Sequence, residues 1–549
     1  MTTEETFRTL FRVEPTMTTT GVIPHDGLPS ENPNDSASKR GIRLLWGSAA
    51  LILMITVVRM VHVMPHDSQL DAASGVFSCL AFDFAHGEVY RPLYGSVGYG
   101  GTRYFPLHPA CHAALMKLGI DPMSAGYVIA IAAGIGLIAG VYVLMRRLGV
   151  TWQMAAPCSV FVLCTVTGQW AVTTIRGDLL PATMNIWGLA MCAGVFARGE
   201  QSPRFRPLLP AIFFTLAFAG KMTDVFGAAA LFWALIFSRR WKDAARFAGC
   251  MIIGLAIFFA IMQWASHGWF WKTMQTCADS DADLQTFSTA PVAMLLNTYR
   301  TDAGAMFFWM LAAAALFHAP KQIWTELPTM ALLATAAVTV VIFGTPGTAI
   351  NHLIDLHVIA IVFFVVQIAR GRISMHLGQL FLALAVMMSI AGTVQSMRDR
   401  DRIDRRTRFA STLHQIRDLK GPVLFEIPTA PVIAGQRPYM SDPYMFAVLG
   451  IKRPEVAKEF LAKIDHQEFG AIICIKDPAD PVGREWFDTA YFGQGFIEHV
   501  LANYECLPRV KYCDYIYVPR KVPVEVKQSA GAEATTAAPM ELLPSMLRN

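Results

Sequence analysis

Apolar residues along this chain mostly do not alternate with polar ones; they run together in stretches about as long as a bilayer is thick. A helix that crosses roughly 30 Å of hydrocarbon needs about 20 such residues. Eleven runs qualify or come close: 44–64, 123–145, 154–175, 179–197, 207–220, 222–237, 246–265, 303–319, 325–343, 351–369 and 375–394. The pair within 207–237 is short in both halves, with Lys221 between them. Two long polar segments interrupt the series, 65–122 and 266–302, and a third, 395–549, closes it. The closing segment has strand-like runs at Pro422–Ile427, Phe469–Ile475 and Val510–Val518. Helix-like runs at Pro454–Ile464 and Gly495–Tyr504 alternate with them, the pattern of a small α/β unit. The prediction is an α-helical polytopic membrane protein of eleven spans, residues 44–395, with a soluble extracytoplasmic α/β domain at 396–520. Disordered tails are expected at 1–43 and 521–549, the second rich in Ala, Thr and Pro.

Composition strengthens the membrane reading. Hydrophobic residues make up 54% of the chain and charged ones 16%, against about 25% charged in soluble proteins. A net charge of +5 gives no reason to expect nucleic acid. The ten cysteines have no paired short spacings, so no zinc or haem motif is present. Cys158, Cys164, Cys192 and Cys250 fall within apolar runs and read as buried thiols. Cys506 and Cys513 lie outside the runs and form the pair able to oxidise in an oxidising compartment. No cleavable signal peptide is visible in the polar first forty residues.

The distribution of Lys and Arg gives a direction. Lys39, Arg40 and Arg43 precede the first run, and Arg146 and Arg147 follow the second. Arg198, Arg204 and Arg206 follow the fourth, and Arg239, Arg240, Lys242 and Arg246 the sixth; Lys321 and then Arg370 with Arg372 mark later turns. Every second loop is basic, which the positive-inside rule assigns to the cytoplasm. The N-terminus is then inside, and an odd number of spans puts the C-terminal domain outside an inner (plasma) membrane. The basic stretch Met397–Arg408 opposes that assignment, because it falls on the outer side.

Isolated polar residues collect at the outer boundary. Asp67, Asp71 and Asp83 follow the first run. From Asp71, the spacing of Ala72, Val76, Leu80 and Phe84 predicts a helix with one apolar face, lying along the membrane. A Tyr-, Gly- and Pro-rich loop containing Arg103 and Tyr104 follows. Arg176 and Asp178 open the fourth run, and Lys221, Thr223 and Asp224 separate the fifth from the sixth. A lysine that breaks an apolar run costs about 2.5–3.5 kcal/mol at a helix centre, so Lys221 needs a reason. Asn351, His352, Asp355 and His357 begin the tenth run, with His352 and Asp355 three residues apart. Each group alone has an ordinary explanation as a cap, a turn anchor or a snorkelling side chain. Gathered at one boundary, they combine carboxylates able to take a proton with cations able to hold a phosphate.

This arrangement resembles the GT-C glycosyltransferases, in particular the bacterial enzymes related to protein O-mannosyltransferases and the lipid A aminoarabinose transferase. In that superfamily an acidic residue after the first span precedes a Gly- and aromatic-rich stretch. Here Asp71 stands ahead of Gly87 and Tyr90, with Pro106 and Leu107 beyond. The Arg-x-Asp-x-Leu start of the fourth span is matched by Arg176, Asp178 and Leu179. The Lys between two central spans is matched by Lys221 with Thr223, and an Asn-aromatic-Leu-Leu-Glu element by Asn351–Asp355. The resemblance departs where the family has an acidic pair, since Ala72 follows Asp71.

The resemblance implies inverting transfer of a sugar from a polyprenyl-phosphate donor to an acceptor hydroxyl on a lipid, glycan or protein. It implies Asp71 or Asp67 as general base, and Lys221, Arg176 and Arg103 as phosphate-binding groups. Asp178, Tyr104, Thr223, Asn351, His352 and Asp355 would line the pocket or orient the acceptor. The aspartates are oxygen ligands of the type a divalent cation takes, but no spacing demands one. The competing classes are a multi-pass transporter or flippase, and a catalytically degenerate membrane protein whose outer domain binds glycan.

Overall fold

The computed structural model describes residues 33–521 apart from 69, 96–97, 197–203, 278–283, 319, 346–347, 349, 401–403 and 511–512. Residues 1–32 and 522–549 of the expected tails, and the loop arginine Arg198, lie outside the described residues.

Each apolar run folds as a helix or a helix pair. Among the described residues six helices are long and apolar enough to cross a membrane: Lys39–His66, Pro122–Arg147, Leu179–Phe196, Trp241–Ala265, Ile350–Ala369 and Met375–Gln395. The pair Trp152–Leu163 and Val166–Thr173, bent by 73°, forms either a broken span or a re-entrant loop. Pro157 lies inside the first half, and Thr165 restarts the second by accepting a hydrogen bond from the Gly168 N–H at 3.0 Å. The Asp302 carboxylate steadies the bend, accepting from Thr167 N at 3.0 Å and Thr167 Oγ1 at 3.1 Å. The remaining apolar runs are shorter helices: Leu208–Gly220, Phe226–Phe237, Ala303–Phe317 and Leu327–Phe343. Trp241–Ala265 leaves Ile252, Ile253, Ile257 and Ile261 more than half exposed, a surface suited to lipid. The chain is a multi-pass membrane protein.

Two expectations are corrected. The first helix begins at Pro33, so residues 33–43 are helical and not a disordered tail; no glycine or proline after Pro33 interrupts the polar approach to the span until Gly41. The helix Ala72–Ala85 does not lie along a membrane on one face. Every residue from Ser74 to Phe84 is buried, because the helix is enclosed between Leu107–Lys117 and Thr429–Ile433.

The C-terminal residues form a four-stranded sheet of β1 (Val423–Phe425), β2 (Ala471–Cys474), β3 (Tyr504–Cys506) and β4 (Tyr515–Pro519), in the order β1-β2-β4-β3. Within it only the β1–β2 pair is parallel. Helices Arg405–Ile416, Pro443–Lys452, Pro454–Asp465, Pro481–Ala490 and Phe496–Asn503 pack around it. Cys506 and Cys513 are free thiols.

This unit rests on the first loop. Tyr99, in the second strand of the hairpin Tyr94–Gly95 and Gly98–Tyr99, bridges to Met440, and Ser441 N donates to Tyr99 O at 3.0 Å. Arg406 pairs with Asp67 at 2.9 Å, while Arg408 pairs with Asp514. These pairs place Arg406 of the basic stretch against the first loop and Arg408 against the sheet unit.

Candidate functional site

The three first-loop aspartates have separate fates. Asp67 is turned by a left-handed backbone (φ 51°) into a buried position. There it accepts from Tyr127 OH at 3.0 Å and Arg406 Nε at 2.9 Å. Burial pushes its carboxyl above the ordinary value, even with Arg406 beside it. Asp83 is buried against Arg91 (2.8 Å) and Arg437 (3.2 Å), and burial raises its carboxyl to about 6. Both join the first loop to other parts of the chain.

Asp71 is different. It caps the helix Ala72–Ala85, with Oδ1 accepting from Ser74 N at 2.9 Å and Ser74 Oγ at 3.1 Å. Its other oxygen pairs with the Arg176 guanidinium. About a third of the Asp71 side chain (34%) stays open, against 13% for Arg176. Burial pushes the Asp71 carboxyl up, but Arg176 and Ser74 together outweigh it and hold the carboxyl below the ordinary range. Arg176 also lies over the Trp170 ring, 4.0 Å from its centroid.

The turn carrying Arg176 packs closely because residue 177 is glycine. A Cβ there would meet the Phe77 ring at 2.5 Å and His108 Cβ at 3.4 Å. Asp178 then opens the helix Leu179–Ala193, and its Oδ1 accepts from Lys221 Nζ at 2.8 Å and Asn351 Nδ2 at 2.8 Å. Lys221 ends the helix Leu208–Gly220, and Asn351 lies in the short helical turn Ile350–Leu353. Three separate chain segments thus meet through two ion pairs, Asp71 with Arg176 and Asp178 with Lys221, and Asn351 brings a fourth by its hydrogen bond.

The other expected groups stand around these pairs. His352 feels the charges of Lys221, Asp178, Arg103 and Arg176. Asp355 follows in the first turn of the helix Ile354–Ala369, beside Lys221 and close to Asp224. His352 precedes that helix, so the two groups reach Lys221 from consecutive elements and not from one helix face. Tyr104 packs on Phe77 with centroids 4.6 Å apart and lies near Arg176, Asp178, Arg103 and Asp442. Arg103 sits over the Tyr444 ring at 5.8 Å, farther along the loop. His357 points elsewhere, packing on Trp309 at 5.3 Å.

Several buried polar atoms here have no hydrogen-bond partner among the described residues: Arg176 Nε, Thr223 Oγ1, Asp224 Oδ2, His352 Nδ1 and Asp355 Oδ1. Buried polar groups are normally satisfied, so a cluster of unsatisfied donors and acceptors marks a place built to meet a polar ligand. Among the described residues no group of three His, Cys, Asp or Glu side chains is placed to hold a metal ion. Asp71 and Asp178 are instead paired with Arg176 and Lys221.

Sequence reasoning missed three groups near the site. His108 is buried with both ring nitrogens unpartnered among the described residues; it lies near Asp178, and burial drives its pKa to about 3. Asp442 accepts from Thr102 Oγ1 at 3.4 Å and caps the helix Pro443–Lys452. Arg405 stands close to Asp71. The last two come from the far end of the chain, and only the packing of the C-terminal unit reveals them.

No family model matches the chain, and no curated protein matches it. Solved structures do. ArnT from Cupriavidus metallidurans bound to undecaprenyl phosphate superposes with a TM-score of 0.54 at 12% identity, covering 88% of this chain and 99% of that one. The same protein in the apo state gives 0.50 at 12%, covering 86% and 97%. The Archaeoglobus fulgidus oligosaccharyltransferase in the apo form gives 0.53 at 11%, covering 89% of this chain and 75% of that one. The chain shares its fold with these membrane proteins.

Proposed function

We propose that the protein is a membrane glycosyltransferase that moves a sugar from a polyprenyl-phosphate donor to an acceptor hydroxyl, with inversion at the anomeric carbon. The observation that carries this reading is the pairing of Asp71 with Arg176 and of Asp178 with Lys221 at one end of a GT-C bundle. Undecaprenyl phosphate in the related ArnT structure supports the choice of donor class.

In this reading the prenyl tail stays in hydrocarbon and the phosphate lies against Lys221 and Arg176. The acceptor oxygen attacks the anomeric carbon, its proton passes to Asp71, and the bond from that carbon to the phosphate oxygen breaks. Polyprenyl phosphate leaves with the negative charge, which the two cations stabilise. Asp71 is favoured over Asp67 because it is one-third open, whereas Asp67 is buried under Tyr127 and Arg406. Asp178 and Asn351 hold Lys221 in place, and His352, Thr223 and Asp355 line the donor side. A single base suffices for inversion, unlike the two flanking carboxylates of a retaining glycosidase. The alternation of basic loops supports an extracytoplasmic site in an inner membrane, with the N-terminus in the cytoplasm.

The test is transfer by the full-length protein in nanodiscs, using radiolabelled sugars on polyprenyl phosphate and following release of polyprenyl phosphate. Turnover is expected in the wild type. Movement of the intact lipid-linked sugar across a vesicle bilayer without release would replace this reading with that of a flippase.

A further inference from the structure

Arg405, the first residue of the helix Arg405–Ile416, is near four charged groups: Asp71, Arg408, Asp514 and Glu426. Each carboxylate among them is committed to another donor. Asp71 is taken by Arg176 and Ser74. Asp514 pairs with Arg408 and accepts from Thr412 Oγ1 at 3.3 Å. Glu426 accepts from Ile475 N at 2.7 Å and Trp486 Nε1 at 2.8 Å, and burial pushes its carboxyl up to about 7, which reduces its charge near neutrality. Arg405 Nε is left buried with no hydrogen-bond partner among the described residues. A guanidinium carries five donors in a fixed fork that suits carboxylate and phosphate.

Position then suggests what fills the fork. Arg176 pairs with Asp71 and also feels Asp178, which ties the proposed phosphate site to Arg176 and Lys221. Arg405 belongs to the C-terminal unit and stands close to Asp71, the proposed base, so an acceptor whose hydroxyl meets Asp71 would have Arg405 within reach. We infer that Arg405 binds an anionic group, a phosphate or a carboxylate, on the acceptor. This inference rests on the glycosyltransferase reading for the word acceptor, but not for the anion site itself.

The test uses the full chain in nanodiscs with saturating undecaprenyl phosphate, which occupies the donor cations. Calorimetry then compares three probes: octyl glucoside, its phosphorylated derivative, and octyl glucuronide. Wild type should bind at least one anionic probe about tenfold or more tighter than octyl glucoside, and the tighter of the two identifies phosphate or carboxylate. R405Q, which breaks none of the contacts described above, should remove that preference, while R405K retains part of it. Equal binding of all three probes by wild type, or an undiminished preference in R405Q, would overturn the inference. Since binding is read without turnover, a wild type that transfers no polyprenyl-linked sugar counts against the glycosyltransferase reading alone.

Discussion

Two carboxylate–cation clusters sit at opposite ends of the helix Ile354–Ala369, about 24 Å apart by helical rise. At one end Glu326 accepts from Arg372 at 2.6 Å and 2.9 Å and pairs with Arg370. At the other, Asp178 accepts from Lys221 and Asn351, and Asp71 pairs with Arg176. Both clusters are partly buried, and both would be counted as salt bridges. They differ in what is left over. Both Glu326 oxygens are taken by cations and that end leaves Gln367 Nε2 without a partner among the described residues, whereas the Asp178 end leaves a larger set, Arg176 Nε, Thr223 Oγ1, His352 Nδ1 and Asp355 Oδ1. An ion pair by itself argues only for structure; buried donors and acceptors left waiting argue for a ligand.

Substitutions at the two ends test that contrast. The largest effect is expected from D71N. Asn keeps the helix cap on Ser74 but cannot take the acceptor proton, so transfer should fall about 10²–10⁴-fold with the protein still expressed, while loss of the charge opposite Arg176 lowers the melting temperature only modestly. Next is K221M, which removes a cation from the leaving phosphate and should lower kcat about 10²–10³-fold. At the other end, E326Q should lower stability by about 1–3 kcal/mol, read as a reduced melting temperature in detergent, and leave transfer near the wild-type rate. A large catalytic defect in E326Q would erase the distinction between the two ends.

The smallest effect concerns pH. The Asp71 carboxyl is held below its ordinary range, so the stability it contributes is present above its unfolded value and disappears as pH falls through the folded one. Asp71 therefore remains ionised in mild acid, and kcat/KM should not decline on its account between about pH 7 and pH 5. A limb near pH 6 that persists in D71N would move the base to another group; Asp442, whose carboxyl burial raises to about 6, is the nearest to consider.

Hydropathy is a local property, and the helical runs were readable for that reason. The same holds for Arg176, Asp178 and Lys221, each of which interrupts or opens an apolar run. The fates of Asp67, Asp71 and Asp83 were not readable, because their environments depend on residues far along the chain: Arg406 for Asp67 and Arg437 for Asp83. The amphipathic spacing from Asp71 to Phe84 suggested a membrane-surface helix, but Thr429–Ile433 covers one side of it. The basic stretch around Arg406 looked like a topological conflict; in the fold Arg406 neutralises Asp67 and Arg408 neutralises Asp514. Arg405 and His108 have no sequence motif, and only three-dimensional neighbours single them out.

The most direct test of the central claim is a structure of the full-length protein with undecaprenyl phosphate. The account predicts the phosphate within hydrogen-bonding reach of Lys221 Nζ and the Arg176 guanidinium, at the Asp178 end. Phosphate bound at Arg370 and Arg372, or held without either Lys221 or Arg176, would contradict it.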